Sequence, residues 1–130
     1  AARYHIYEYL HQMGAALARA DLVVSRAGAS TLGELTAFGL PAVLVPYPYA
    51  WRYQKVNADY LAERGGALVV EDASLAARLP GLVKELLADR QRLSEMSTAL
   101  SALARPQAAR ALAGLIRELA GGTGRKVGQA

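Results

Sequence analysis

Apolar residues along the chain fall into short valine-rich runs that alternate with longer stretches of helical spacing. Three runs, at 22–25, 42–45 and 67–70, are too short for helices and almost entirely apolar. This is typical of strands in a parallel sheet that is covered on both faces. Helical spacing at 30–38 and 53–63 predicts helices between the strands, with right-handed crossovers. The pattern predicts an α/β fold: a partial, Rossmann-like parallel sheet of about three strands flanked by helices.

Further helices are predicted on both sides of this unit. Before the first strand, Leu10, Met13 and Leu17 have the spacing of one helix face. After the third strand, a short helical turn is predicted over 74–78, with Ser74 as its cap. Pro80 is expected to open a separate helix that ends near residue 87. Because three strands leave one sheet edge without its natural neighbour, the chain is predicted to be part of a larger α/β domain.

The last two predicted helices carry regular apolar faces, and they are expected to form a closing helical hairpin. Asp89 is the predicted cap of the first helix, and Pro106 starts the second. Both faces are expected to pack inward. Their residues are Leu93, Met96, Leu100 and Leu103 in the first helix, and Leu112, Leu115, Ile116 and Leu119 in the second. We predict a domain over residues 1–120 and a flexible tail over residues 121–130.

The stretch with the clearest chemical potential is the turn between the first strand and the next helix. Small residues fill positions 25–29, and Gly28 can take backbone angles that other residues avoid. Ser30 or Thr31 is the predicted helix cap, and Glu34 follows at about the capping-box distance. Free amides at the helix start favour an anion such as phosphate. Many turns of this kind bind nothing, so the pattern alone leaves a purely structural role open.

Composition limits the classes of function. The 130 residues are 53% hydrophobic and 20% charged, which indicates one globular domain, and cysteine is absent. His5 and His11 lack carboxylates at a metal-binding spacing, so no metal site and no cofactor are expected. The net charge of +4 is spread along the chain, which argues against a nucleic-acid groove. No signal peptide or membrane span is evident, and a soluble cytoplasmic protein is expected.

A family resemblance rests on ADLVVSRAGASTLGELTAFGLPAVLVPYP, followed by Gln54, by Asn57-Ala58 and by GGALVV. In this order, these elements resemble the C-terminal half of MurG-type UDP-N-acetylglucosamine transferases, over about residues 9–119. The resemblance implies half of the C-terminal domain of a two-domain GT-B fold. It also implies an inverting reaction that adds N-acetylglucosamine to lipid-linked muramyl-pentapeptide in peptidoglycan synthesis.

The resemblance further implies which parts of such an enzyme lie outside this chain. These are the N-terminal acceptor domain, a second glycine-rich phosphate loop and the catalytic base. The chain is therefore expected to be inactive alone and to carry no catalytic residue. Membrane contact is expected through the missing half, at the inner face of the cell membrane.

The resemblance implies a site for the UDP-sugar donor. Tyr9 and Leu10 would meet the uracil, the turn 28–31 would meet the diphosphate, and Glu34 would accept hydrogen bonds from the ribose hydroxyls. Gln54 would lie beside the sugar ring, with Asn57 one helical turn later. The full set is Tyr9, Leu10, Gly28, Ala29, Ser30, Thr31, Glu34, Gln54 and Asn57. Many relatives have His or Gln where Tyr53 stands, so a sugar contact there is not implied.

Several alternatives stay open at this point. The chain could be a non-catalytic nucleotide-binding or scaffold domain, or part of a related transferase that uses another UDP-sugar. Glu34 could be only a capping-box carboxylate. Arg26 is either a phosphate partner or a tie to a neighbouring carbonyl. Tyr49 and Trp51 either line a sugar pocket or only pack their loop.

Overall fold

The computed structural model describes residues 4–49 and 51–122, which form three strands and six α-helices. In chain order these are α1 (Met13–Leu17), β1 (Val23–Ser25), α2 (Ala29–Phe38), β2 (Ala42–Leu44), α3 (Trp51–Ala62), β3 (Ala67–Val69), α4 (Leu75–Ala88), α5 (Arg90–Leu103) and α6 (Ala108–Gly122). A single 3₁₀ turn, Asp72–Ser74, joins β3 to α4. The predicted order of strands and intervening helices is confirmed.

The strands form one parallel sheet in the order β1-β2-β3. In the register of the sheet, Val43 of β2 lies opposite Val24 of β1 and Leu68 of β3. The central strand is fully buried, whereas β1 is an edge strand whose Val24 is 42% exposed. The predicted three-stranded parallel sheet is therefore confirmed, including its exposed edge.

Side chains of β2 alternate between two hydrophobic clusters, one on each face of the sheet. Ala42 and Leu44 belong to the first cluster, with residues of α2, α3 and α5 such as Leu61. Val43 and Val45 belong to the second, with residues of α4 and α5 such as Leu86. Burial of both faces explains why the strand sequences are apolar without alternation.

Two predictions between β3 and α5 have different outcomes. The prediction of two helices separated at Pro80 is wrong, because α4 is continuous and contains Pro80 as its sixth residue. A proline in this position removes one helical hydrogen bond. Packing of Leu79, Leu82 and Leu86 against the second cluster offsets that loss. The predicted cap at Asp89 is confirmed, since its Oδ1 accepts a hydrogen bond from the Arg92 amide at 3.0 Å.

The final helix departs from its predicted packing. In α5, Leu93, Met96 and Leu100 are buried as expected, and Leu103 is half-buried. The prediction that the apolar face of α6 points inward is wrong. Its members are between 53% and 65% exposed: Leu112, Leu115, Ile116 and Leu119. Periodicity predicts that a helix has an apolar face, but not that the same chain supplies an element to cover it.

Both ends of the chain add detail to the predicted boundaries. The first helix is shorter than expected, since α1 covers only Met13–Leu17, and none of its residues is buried. At the other end, α6 extends to Gly122, which includes the first two residues of the predicted tail. Residues 123–130 lie outside the described part of the chain, so the flexible tail stays a prediction.

Gly39 ends α2 where the helix packs against α5. Its φ of 56° lies in the left-handed region, which confirms the predicted glycine C-cap. A Cβ on Gly39 would collide with the Ser101 hydroxyl and would lie 3.2 Å from the Ser97 carbonyl oxygen. Glycine is therefore required here both by the backbone angle and by the close approach of α5.

We expect the substitution Gly39→Ala to lower the free energy of unfolding by about 2–4 kcal/mol, from backbone strain and overpacking. Urea unfolding of the purified chain measures this change. The matched control is Gly81→Ala, because a Cβ on Gly81 in α4 meets no heavy atom of the described chain within 4 Å. That control is expected to be neutral or to stabilise by about 0.5–1 kcal/mol. Equal stability of Gly39→Ala and the unsubstituted chain would contradict this account of the helix end.

Candidate functional site

Three loop segments meet at one edge of the sheet, because all three strands are parallel and end there. Residues 26–28 follow β1, residues 46–49 follow β2, and residues 70–72 follow β3. Helices α2 and α3 also begin at this edge. The carboxyl edge of an open parallel sheet is where α/β proteins bind their ligands. The predicted site residues from 28 to 57 lie on these loops and on the first two turns of these two helices.

The start of α2 lacks a side-chain cap. The helix begins at Ala29, and Gly28 is its N-cap residue, with no side-chain hydrogen bond to the first turn. The predicted caps Ser30 and Thr31 are therefore wrong, since the helix starts before them. Thr31 instead donates its hydroxyl to the Arg26 carbonyl at 3.4 Å, and Ser30 is exposed. The first-turn amides and the helix dipole thus form an uncapped electropositive helix end.

Gly28 has an ordinary extended backbone. Its φ of −67° and ψ of 163° are accessible to any residue, so the predicted use of special backbone angles is wrong. A Cβ on Gly28 would meet only the Thr31 hydroxyl among the described residues, at an ordinary contact distance of 3.8 Å. The fold does not demand glycine here, and its effect is to leave the space in front of α2 open.

Glu34 lies on the same face of α2 as Ser30 and Thr31 in its first turn, because residues three and four apart are neighbours on a helix. The capping-box alternative is wrong, because α2 starts at Ala29 and this places Glu34 in the second turn. Its side chain is exposed and has no hydrogen bond or ion pair within residues 4–49 and 51–122. The carboxylate is therefore free to accept hydrogen bonds from a ligand.

Gln54 and Asn57 fasten α3 to two of the loops. The Tyr47 amide donates to Gln54 Oε1 at 2.9 Å, and Asn57 Nδ2 donates to the Ala27 carbonyl at 3.0 Å. The first bond holds the loop after β2, and the second holds the loop after β1. The Gln54 NH₂ group and the Asn57 Oδ1 atom have no protein partner in the described part of the chain.

Arg26 makes contacts of the kind expected for a structural tie, one of the two alternatives left open by the sequence. Its Nη1 donates to the Val45 carbonyl at 3.3 Å and pairs with Asp72 Oδ1 at 2.5 Å. The guanidinium also lies 5.3 Å from the centre of the Tyr47 ring. Sequence reasoning missed Asp72. Its signal is its position at the start of the turn that follows β3, at the same sheet edge as Arg26.

Tyr9 and Leu10 are not joined to this site by any hydrogen bond or ring contact among the described residues. Tyr9 is exposed and packs edge-to-face on His11, with ring centres 4.8 Å apart. Leu10 is half-buried ahead of α1. Their contact with uracil therefore stays a prediction.

A cleft of about 700 Å³ opens beside the candidate site, between the loop after β2 and the segment after β3. Tyr47 and Tyr49 contact each other edge-to-face in its wall, with ring centres 5.6 Å apart. Tyr49 thus lines a cleft, whereas the side chain of Trp51 lies outside the described part of the chain. The remaining lining residues are Pro46, Pro48, Lys55, Val69, Glu71, Asp72 and Ala73.

Two charged side chains that line the cleft, Lys55 and Asp72, are paired with other protein groups. The Lys55 side chain contacts Asp59 at 2.6 Å, and this hydrogen bond, with the charge of Asp59, raises the pKa of Lys55 above its ordinary value. Within residues 4–49 and 51–122, no group of three or more His, Asp or Glu side chains is arranged to hold a metal ion. In the same part of the chain, no helix has the length and apolar character needed to cross a bilayer.

Comparison with known proteins supports the resemblance seen in the sequence. The model of the glycosyltransferase family 28 C-terminal domain matches residues 1–112. Two relatives carry the name UDP-N-acetylglucosamine–N-acetylmuramyl-(pentapeptide) pyrophosphoryl-undecaprenol N-acetylglucosamine transferase. The relative from Chlorobium phaeobacteroides is 49% identical over 121 residues, which cover 92% of this chain and 33% of that protein. The relative from Desulforamulus reducens is 46% identical over 105 residues, which cover 79% of this chain and 28% of that protein.

A solved structure with a similar fold agrees with these sequence matches. The crystal structure of Acinetobacter baumannii MurG aligns with a TM-score of 0.80 and 31% sequence identity, over 88% of this chain and 33% of that chain. The fold class predicted from the sequence, part of the C-terminal domain of a GT-B enzyme, is confirmed. The chain spans about a third of the length of the relatives it matches.

We expect Asn57→Asp to lower the free energy of unfolding by about 1–3 kcal/mol at neutral pH, because a carboxylate oxygen then faces the Ala27 carbonyl without a proton between them. Urea unfolding at pH 7 and at pH 4 measures the difference from the unsubstituted chain. That difference should shrink at the lower pH, where a protonated carboxyl can donate. The control Gln107→Glu makes the same chemical change at an exposed position and should stay within about 0.5 kcal/mol. A difference that does not depend on pH would contradict this role for the Asn57 hydrogen bond.

Proposed function

This chain belongs to the glycosyltransferase family 28 C-terminal domain family, and we propose that it binds UDP-N-acetylglucosamine as the sugar donor of a transferase. The observation that carries the proposal is the uncapped start of α2 beside the unpaired carboxylate of Glu34. One group attracts an anion, and the other accepts hydrogen bonds from hydroxyls. A nucleoside diphosphate offers both groups at a short separation.

The diphosphate is placed at the start of α2. Amides of Ala29, Ser30 and Thr31 are the first of the helix, and the positive end of its dipole faces the same space. The missing side chain at Gly28 lets phosphate oxygens approach the backbone closely. In the transfer step, the bond between the sugar carbon and the diphosphate oxygen breaks, and negative charge grows on the departing UDP. Fixed amides at this position stabilise that charge as it develops.

The ribose is placed at Glu34. An ionised carboxylate is an acceptor only, and the two ribose hydroxyls can each donate to one of its oxygens. A structural role for this carboxylate has no support, since it makes no hydrogen bond or ion pair within the described residues. The uracil is placed against Tyr9 and Leu10, as the family resemblance implies.

The N-acetylglucosamine ring is placed beside the first turns of α3. Gln54 Oε1 is held by the Tyr47 amide, which leaves the Gln54 NH₂ group to donate to sugar oxygens. Asn57 Nδ2 is held by the Ala27 carbonyl, which leaves Oδ1 to accept from a sugar hydroxyl. The two internal hydrogen bonds fix both amides in orientation before the ligand arrives, which lowers the cost of ordering them.

For the complete enzyme we propose the reaction that its relatives' names describe. N-acetylglucosamine passes from UDP to the lipid-linked N-acetylmuramyl-pentapeptide acceptor. A second domain would hold the acceptor and supply the base that takes the proton of the attacking hydroxyl. Because that acceptor carries an undecaprenyl chain, the reaction takes place at a membrane surface, and we propose the inner face of the cell membrane.

We expect Glu34→Gln to weaken UDP binding about tenfold, the equivalent of about 1.4 kcal/mol. The substitution replaces one acceptor oxygen with an NH₂ group that cannot accept from a hydroxyl. Discrimination between UDP and 2′-deoxy-UDP should fall with it. Isothermal titration of the purified chain measures both affinities.

The controls for Glu34→Gln separate binding from folding. The melting temperature should be unchanged, because Glu34 is exposed and unpaired within the described residues. Glu118→Gln, at an exposed position on α6, should alter neither affinity nor stability. If the unsubstituted chain binds UDP and Glu34→Gln binds it equally well, the ribose role is wrong. If the unsubstituted chain does not bind UDP, the proposed function itself fails.

UDP binding is expected to need no divalent cation, because backbone amides and the helix dipole balance the diphosphate charge. Titration of UDP in buffer with excess EDTA should give the same affinity as in buffer with magnesium. Loss of binding in EDTA that magnesium restores would show that the diphosphate is instead held through a metal.

A further inference from the structure

We propose that Arg26 is a positioning residue that locks the three strand-end loops into one rigid donor site without touching the ligand. The proposal rests on the proposed function, since the site it holds is the UDP-sugar site. The residue follows β1, and its side chain contacts residues at the ends of both other strands.

Contacts of the Arg26 side chain reach both neighbouring loops. The ion pair with Asp72 reaches the segment after β3, across 46 residues of sequence. The hydrogen bond to the Val45 carbonyl and the ring contact with Tyr47 reach the loop after β2. One guanidinium therefore bridges the ends of all three strands.

The main chain of Arg26 adds a connection to α2. Its carbonyl accepts the Thr31 hydroxyl at 3.4 Å, in the first turn of the helix proposed to bind the diphosphate. The carbonyl of the next residue, Ala27, accepts a hydrogen bond from Asn57 of α3. Tyr47, whose ring contacts the guanidinium, donates its backbone N–H to Gln54 of α3. Arg26 is thus linked, through at most one intermediate residue, to Thr31, Asn57 and Gln54.

The same contacts argue against Arg26 as a direct phosphate ligand. A guanidinium attracts phosphate most strongly when no carboxylate already balances its charge. Here the Nη1 atom is shared between Asp72 and the Val45 carbonyl, and the Asp72 carboxylate already balances the charge. A diphosphate would have to compete with that carboxylate at 2.5 Å.

Asp72→Ala distinguishes the two roles, because they predict opposite signs. If Arg26 positions the loops, loss of Asp72 releases the tie, and UDP affinity measured by titration of the 130-residue chain falls about fivefold. The UDP affinity of Arg26→Ala should fall by a similar factor. The affinity of the double variant should be no lower than that of either single variant. If Arg26 is a ligand, Asp72→Ala frees its charge, and UDP affinity stays the same or rises. That result would overturn the proposal.

A matched control uses a second Arg–Asp ion pair, which lies near the other end of β1. Arg90 pairs with Asp21 at 3.2 Å, and Asp21 lies just before the amino end of the strand, at the opposite sheet edge. Arg90→Ala removes an ion pair of the same kind away from the site. It should leave UDP affinity unchanged. A loss of affinity equal to that of Asp72→Ala would mean that any lost ion pair has this effect, and the proposal would be wrong.

Hydrogen exchange of the Tyr47 amide tests the tie without a ligand. This amide donates to Gln54, and its exchange should accelerate about threefold or more in Asp72→Ala, because the loop after β2 opens more often. The Val23 amide, which donates to the Pro41 carbonyl at the opposite end of the strands, is the internal reference and should not change. Unchanged Tyr47 exchange would overturn the proposal even if the chain binds no UDP, so the failure of each proposal is recognisable. Asp72→Asn, which keeps the size of the side chain, repeats the measurement if Asp72→Ala fails to fold.

Discussion

The parallel pairing of β2 with both of its neighbours is the constraint on which the rest of the molecule depends. Parallel neighbours cannot be joined by tight turns, so helices must return the chain across the sheet. The face on which Val43 is buried is covered by α4 and α5, whereas the face on which Leu44 is buried is covered by the two connecting helices, α2 and α3. They also begin at the same sheet edge. The juxtaposition of the two helix starts is therefore a product of the topology, before any ligand is considered.

Polar groups at this edge divide into those that hold the protein together and those that remain free. Arg26, Asp72 and Thr31 are engaged with other protein groups, and Gln54 and Asn57 are engaged through one end of each amide. The Glu34 carboxylate and the first-turn amides of α2 are not occupied by side chains of the described residues. Internal bonds thus fix the geometry, and the open groups decide which ligand fits it. A loop edge without such ties would have to be ordered by the ligand at a cost in affinity.

Much of the fold and part of the site could be predicted from the sequence, for identifiable physical reasons. Strands, helix order and the Gly39 cap follow from local periodicity and backbone preferences, which act within a few residues. Packing and register act over longer distances. The continuous α4 through Pro80 depends on contacts with the second cluster, and the uncapped start of α2 depends on where the chain leaves β1. Asp72 escaped notice because its partner lies 46 residues away.

Leu112, Leu115 and Ile116 of α6 are each more than half exposed, and this exposure has a consequence for how the polypeptide melts. A helix packed on a core shares the cooperative transition of that core, but the apolar side chains of α6 are more than half exposed. Its helical content must then come chiefly from its own alanine- and leucine-rich sequence, and about 12–15 residues is the length at which isolated helices are marginal in water. We therefore expect α6 to unfold through a helix–coil equilibrium, separately from the cooperative transition of the sheet. Circular dichroism would show a gradual loss of helix below the sharp transition of the sheet.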